Sequence, residues 1–289
     1  MFKKILFLFF LLMPFYPNAK ELRFSQDDAD LELATKFLKT GFENVQDSFV
    51  VSPLSAYAAT VLLANGAEGT SKKELQKHIL ESPKENSMMI GVSREDGTID
   101  EFYGINSYLR FYKDKKSQFE INNSIWGDDF KPEYQEKMAK DLLSETKPLP
   151  QNTLVIDEWI KEKTKGRIQN MLGNKPTQKD TLILVNTVYF KDKWLKPFET
   201  AQTRLHDFHS LDGQLDQVHM MSDWDTMDYY QDNKMQAVRL PYKNGDVLQI
   251  FLPKEGMDFR QFIKELSTQD LYLDYLKVPV HLELPRFNL

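Results

Sequence analysis

The sequence has no cysteine, so no disulfide framework can hold it and no thiolate can act as nucleophile or metal ligand. Stability in a chain of 289 residues then falls to a packed apolar core, which a chain this long can build. Basic charge is also short. Lys and Arg number 37 against 43 Asp and Glu, a formal net charge of −6, which argues against nucleic acid as a partner. The 12 glycines and 13 prolines gather into no linker, and no internal repeat or low-complexity tract divides the chain. One folded domain is the simplest expectation. Long apolar runs are missing too: Ile5–Met13 is only nine residues, whereas a bilayer-spanning helix needs about 20.

That short run has flanks of its own. Lys3 and Lys4 precede it, and Pro17-Asn18-Ala19 follows as a small-residue cut site. The pattern predicts a leader peptide over residues 1–19, removed after Ala19. Because Lys3 and Lys4 are its only charged residues, removal takes the net charge from −6 to −8. The expectation is an exported protein, extracellular or periplasmic, that is a soluble monomer with no membrane attachment once the leader is gone.

The stretch around which the rest is organised is Thr181–Phe198, TLILVNTVYFKDKWLKPF. Leu182–Phe190 is almost unbroken apolar and rich in β-branched and aromatic residues, which predicts a strand buried on both faces. Alternation puts Asn186 on the face of Leu182, Leu184, Val188 and Phe190. A buried amide costs about 1–3 kcal/mol if unpaired, so Asn186 needs a partner from another element. Trp194 lies just beyond the strand.

Upstream, Asp27-Asp28-Ala29-Asp30 opens a helix that Gly41 is expected to stop. Phe49–Val51 reads as a short buried strand. Ser52-Pro53 then gives an N-cap and a first-turn proline for an Ala-rich, wholly apolar helix over Leu54–Ala64, read as buried. Ser55 is its polar exception. Ser71 and Glu74 have capping-box spacing before Leu75, Ile79 and Leu80. Residues 81–97 show no clear pattern. Ile121–Trp126 reads as a strand, Lys131-Pro132-Glu133 as a helix start, and Ile156, Trp159, Ile160 and Lys163 as a helix with Trp159 inward and Gly166 as its stop. Strands follow at Met227–Tyr230, Met235–Leu240 and Val247–Leu252, the last two joined by a type I′ hairpin at Asn244-Gly245. Asp258 caps a further helix, and Val280, Leu282 and Leu284 alternate as a final strand.

Catalytic patterns are scarce. His206 and His209, with His219 beyond, could hold a metal, yet an HxxH on a strand sets its imidazoles on opposite faces. No Gly-x-Ser-x-Gly turn is present. Asn65–Gly69 is explained by caps and turns rather than phosphate binding. Asn122-Asn123-Ser124 matches a glycosylation sequon inside a predicted strand. These residues give no active site, no metal and no cofactor.

Several stretches together resemble the serpin family. They are DSFVVSPLSAYAATVLLANGAEGTSKKEL (47–75), NTLVIDEWIKEKTKGRIQNML (152–172), LVNTVYFKDKWLKPF (184–198), the segment from Phe198 to His209, Met220-Met221, and LPYKNGDVLQIFLPKEG (240–256). The resemblance implies an α+β serpin fold over residues 20–289, with a large central β-sheet A, further sheets and surrounding helices. It implies an inhibitor of serine, or alternatively cysteine, proteases and not an enzyme. In that family an exposed reactive loop is cut by the protease and inserts as a new strand into the large sheet, releasing stored strain. By position, Ser52, Ser55 and Asn186 match the polar shutter beneath that sheet, Trp194 the breach where insertion begins, and Thr203 and Phe208 the gate region. Asp192 departs from the family's usual glycine, and residues 81–118 fit loosely. HLELPRFNL at the end resembles the strand leading toward the reactive loop, so the expectation is a C-terminally truncated, bacterial-type member without bait, inactive by the family's route. The alternative is a non-inhibitory member acting as a binding or chaperone-like module.

Overall fold

The computed structural model describes residues 7–14, 25–44, 49–75, 92–93, 99–100, 119–175, 177, 181–210, 214–271 and 273–287. The chain forms two compact units. One holds residues 1–23, 35–51 and 192–289, the other residues 24–34 and 52–191. Strand β1 (Phe7–Pro14) belongs to the first, and helix α1 (Ser25–Asn44) contributes residues to both. Gly41 does not stop α1, which runs on to Asn44. A Cβ on Gly41 would run into the Phe49 ring, so the glycine serves close approach of an aromatic ring instead of a cap. Phe49–Val51 forms no regular strand, and Val50 is 61% exposed.

In the unit of residues 52–191, Ser52 caps helix α2 (Pro53–Gly66) and accepts from the Ser55 amide at 3.3 Å. Tyr57, Ala58, Val61, Leu62 and Ala64 are buried while Leu63 is exposed, so α2 buries one broad face and not its whole surface. Helix α3 (Gly69–Leu75) begins two residues before Ser71, where Gly69 turns at φ 61°, which leaves the serine inside the helix. Ile79 and Leu80 lie outside the described residues, as does most of 81–118. Strands β2 (Val92–Ser93) and β3 (Ile99–Asp100) pair as a short antiparallel ladder.

The sheet of this unit has strand order β5-β4-β6, built from β4 (Phe119–Gly127), β5 (Ser144–Lys147) and β6 (Leu182–Phe190). Helix α4 (Pro132–Leu142) turns at Leu143, φ 49°, to deliver β5 parallel to β4, and β6 runs antiparallel on the other side. Ile125 on one face packs with Tyr57, Val61 and Leu62 of α2 and with Met138 and Leu142 of α4. On the opposite face Trp126 packs with Ile156, Trp159 and Ile160 of helix α5 (Leu154–Lys163), and Gly166 turns at φ 76° beyond its end. Strand β6 is half-buried along most of its length rather than buried on both faces. Among the described residues it has a sheet neighbour on one side only.

Among the described residues the other unit carries a six-stranded sheet. Its order is β1-β10-β9-β8-β11, with β7 also on β8. The strands are β7 (Arg204–His209), β8 (Leu215–Gln231), β9 (Met235–Pro241), β10 (Asp246–Pro253) and β11 (Leu276–Pro285). The β9–β10 hairpin is not type I′. The Gly245 amide donates to Tyr242 O at 3.1 Å and only Gly245 has positive φ, at 91°. This is the three-residue loop in which a turn is followed by one left-handed residue. Asp258 caps helix α6 (Phe259–Glu265) by accepting from Gln261 N at 2.8 Å, and Phe259, Phe262 and Ile263 are buried.

Candidate functional site

The residues expected to form the shutter fall into two separate pairs. In the first turn of α2, Ser55 Oγ donates to Ser52 Oγ at 2.7 Å, and Ser52 is exposed. In the sheet, Asn186 Nδ2 donates to Asn123 Oδ1 at 2.7 Å. Among the described residues no hydrogen bond joins either serine to Asn186. The expected single network is therefore corrected: the partner Asn186 requires comes from the neighbouring strand. The reason is register. Asn123 stands directly opposite Asn186 in the β4–β6 ladder, where facing Cβ atoms are about 4.5–5.5 Å apart and short amides meet.

The arrangement extends across all three strands. Ser144 of β5 is in register with Asn123, so Ser144, Asn123 and Asn186 form a polar row on the face that Ile121, Ile125 and Leu184 present to α2. Asn123 is 2% exposed and passes its own amide to Leu142 O at 3.3 Å. Two atoms of the row are left over. Asn186 Oδ1 and Ser144 Oγ are both buried without a hydrogen-bond partner. A buried acceptor in that state costs free energy until a donor reaches it. In the sequence Asn123 stands only as the middle of the sequon Asn122-Asn123-Ser124, which hides its role. Asn122 Nδ2, the atom a glycan would need, is buried. The readable signal is an amide between apolar residues of one strand face, Asn123 between Ile121 and Ile125 and Asn186 between Leu184 and Val188.

Trp194 follows β6 and forms a bridge with Tyr242, their rings stacked 4.4 Å apart at 16°. Backbone bonds from Leu195 N to Pro241 O (2.8 Å) and Lys243 N to Lys193 O (2.9 Å) hold the two segments together. Asp192, where the family resemblance expects glycine, has a job here: its carboxylate accepts from Asn244 N at 2.9 Å and Lys193 N at 2.7 Å. Burial pushes the Tyr242 phenol well above its ordinary range, with Asp192 and Asp246 adding to the effect. Lys196 sits between Asp225 and Asp223 at 3.0 and 3.1 Å, and its hydrogen bonds to them raise its pKa.

Thr203 closes the turn before β7 through Thr203 N to Thr200 O at 3.1 Å, and Phe208 lies half-buried in β7 opposite Asp216. His206, His209 and His219 stand opposite Val218, Leu215 and Leu205. His206 and His209 alternate to opposite faces of β7. Among the described residues no three metal-ligating side chains converge.

A family model described as Serpin (serine protease inhibitor) matches residues 28–289. Antithrombin-III of Mus musculus is 28% identical, over 90% of this chain and 58% of its own length. An uncharacterized serpin-like protein of Methanosarcina mazei is 25% identical, over 84% of this chain and 58% of its own. The chain thus spans under two thirds of the length of each. The solved structure of ovalbumin from emu (Dromaius novaehollandiae) superposes with a TM-score of 0.76 at 18% identity, over 89% of this chain and 72% of that one.

Proposed function

The chain belongs to the serpin family, and from that premise we propose that the protein, in a form that carries the family's reactive loop, is a serpin-type inhibitor of serine proteases that works by taking the cleaved loop into its own sheet as a new strand. The observation that carries this reading is Asn186. It sits on a strand with a sheet neighbour on one side among the described residues, and its buried amide oxygen lacks a donor. An incoming strand that brings an N–H or a side-chain donor beside β6 would supply that partner, so the sheet gains more from the addition than backbone pairing alone. In this reading Ser52 and Ser55 cap the helix beneath the sheet, Trp194 follows β6 as the family's breach residue, and Thr203 and Phe208 match its gate region.

The direct test incubates a form that carries the reactive loop with trypsin-, chymotrypsin- and elastase-type proteases. The expected result is stoichiometric loss of protease activity with a complex that survives denaturing electrophoresis. Turnover of the protein as a plain substrate, with every protease left active, overturns the inhibitory reading in favour of a binding role. We also infer export through the leader at residues 1–19; a secreted product beginning at Lys20 is the expected mass-spectrometric result.

A further inference from the structure

Two lysines at the end of α5 reach different strands of the sheet beneath. Lys163 Nζ lies 2.9 Å from Glu145 of β5, whose carboxylate also pairs with Lys147 at 3.0 Å. Lys165, the second residue past the helix, reaches the opposite side. Its ammonium donates to Glu120 Oε1 of β4 at 2.5 Å and sits 4.4 Å from the ring centre of Tyr189 on β6. Glu120 and Tyr189 face each other across the β4–β6 ladder, so one side chain closes over both strands.

The turn that carries Lys165 is left-handed, with φ 53° at Lys165 and 76° at Gly166. Such backbone is cheap for glycine or asparagine and costly for a long side chain, so the turn alone does not call for lysine. What lysine adds is reach. Beyond it the segment is solvent-facing, and Arg167 to Met171 are all exposed. Ile168 N bonds to Thr164 Oγ1 at 3.1 Å and Gln169 Nε2 to Gly166 O at 2.8 Å, both inside the segment itself. The next hold is at Leu172 and Gly173, whose amides bond to Asp157. Leu172 packs against the cluster of Trp126 and Trp159, as do Ile183 and Val185 of β6. Ile183, Val185 and Tyr189 share one face of β6 by alternation. The segment is therefore fastened on that side of the sheet at two points, Lys165 and Leu172–Gly173.

We propose that Lys165 is an ionic latch: its bond to Glu120, backed by the Tyr189 ring, keeps residues 166–171 closed against the sheet, and its loss lets them swing out while Lys163 holds α5 in place. The Lys165 end is the weaker fastening. The Lys165 and Glu120 side chains are 46% and 42% exposed, and an ion pair so placed yields to salt. Asp157, by contrast, is buried and holds two amides at once. Opening thus begins at Lys165, and ionic strength sets how often it occurs. The latch rests on these contacts alone and stands or falls apart from the protease assay.

The test compares the full chain with its Lys165→Asn and Lys165→Arg variants. Asparagine takes left-handed backbone more readily than lysine, so any loosening it causes does not come from strain in the turn. At an ionic strength of about 0.1 M, amides over residues 166–173 should exchange about three- to tenfold faster in the asparagine variant. Trypsin cleavage after Arg167 should accelerate with them. Arginine should restore most of the parent's protection, because it keeps the charge and stacks on an aromatic ring. At about 1 M the Debye length shrinks from about 10 to about 3 Å, and the ratio of asparagine variant to parent should fall at least about twofold. Glu120→Gln should speed exchange in the parent and add nothing in the asparagine variant. Exchange over residues 119–127 and 182–190 is the reference for an intact sheet. If Lys165→Asn disturbs that reference, Glu120→Gln, which leaves the turn after α5 unaltered, decides alone. Equal exchange over 166–173 in parent and variant, a ratio indifferent to salt, or full additivity of the two substitutions overturns the latch.

Discussion

Asn186 and Asn123 face each other across the β4–β6 pair, and the amide nitrogen of the first donates to the amide oxygen of the second at 2.7 Å. From Asn123 the bonding continues to the carbonyl of Leu142 at the end of α4. The contact ties the strand proposed to border an incoming segment to the element that sets the far side of its sheet. Because Asn186 Oδ1 remains unpartnered, the pair holds β6 in place without using all of its bonding capacity.

Replacing Asn186 with alanine leaves Asn123 Oδ1 buried with no donor from β6. The expected loss is about 1–3 kcal/mol, seen as a lower urea midpoint at unchanged slope. Asn123→Ala should cost a similar amount, and the double variant should cost clearly less than the two together, because the residues act as a unit. Strict additivity would show that the contact contributes nothing.

Tyr134 gives a pH test. Its hydroxyl donates to Leu62 O at 3.0 Å, and burial pushes its pKa up to about 12, against about 10 in an unfolded chain. The folded state holds this proton more tightly, so its contribution is complete below pH ~10 and disappears as pH rises toward about 12. Stability of the native chain should fall across that window, and Tyr134→Phe should fall less steeply. Parallel slopes for the two chains would deny the linkage.

Much of this was legible in the sequence where the signal is local. The caps at Ser52 and Asp258, the helix bearing Trp159, and the strands β4, β9 and β10 all follow from periodicity and punctuation within a dozen residues. The need of Asn186 for a partner was legible too; the partner was not, since register between β4 and β6 is set by two strands some sixty residues apart. The same holds for Trp194, whose ring finds Tyr242 only once a distant hairpin comes beside it. Phe7–Pro14 lies within the expected leader, whose basic flank and small-residue end carry no information about strand pairing.

Asp192 illustrates a local departure with a distant consequence. Its carboxylate joins the segment of Trp194 to the β9–β10 turn through Asn244 N. Asp192→Gly removes that acceptor and adds backbone freedom, so stability should fall by about 1–2 kcal/mol. The Trp194–Tyr242 stack should loosen as well, reported by red-shifted fluorescence in a chain where the other three tryptophans are replaced. Asp192→Asn retains one acceptor oxygen and should fall between. A glycine variant as stable as the parent would show that the carboxylate is incidental.

Asp157 lies on α5 and, although an acid, is only 5% exposed. Its two oxygens accept from consecutive amides, Oδ1 from Leu172 N and Oδ2 from Gly173 N, each at 2.9 Å. The carboxylate thus pins the segment after α5 back onto the helix from fifteen residues away, and Thr153 assists by accepting from Lys175 N at 3.0 Å. Bonds to a charged acceptor contribute about 1.5–3 kcal/mol each, so Asp157→Ala should destabilise the chain by at least about 2 kcal/mol. Asp157→Asn should lose less, since it keeps one acceptor. The segment should open before the rest of the unit does, because it is held by few apolar contacts. Trypsin cleavage after Lys165 and Arg167 should therefore accelerate in the alanine variant under conditions where β4 and β6 remain protected from exchange. Unchanged cleavage at both sites would mean that the segment is held by something other than this carboxylate.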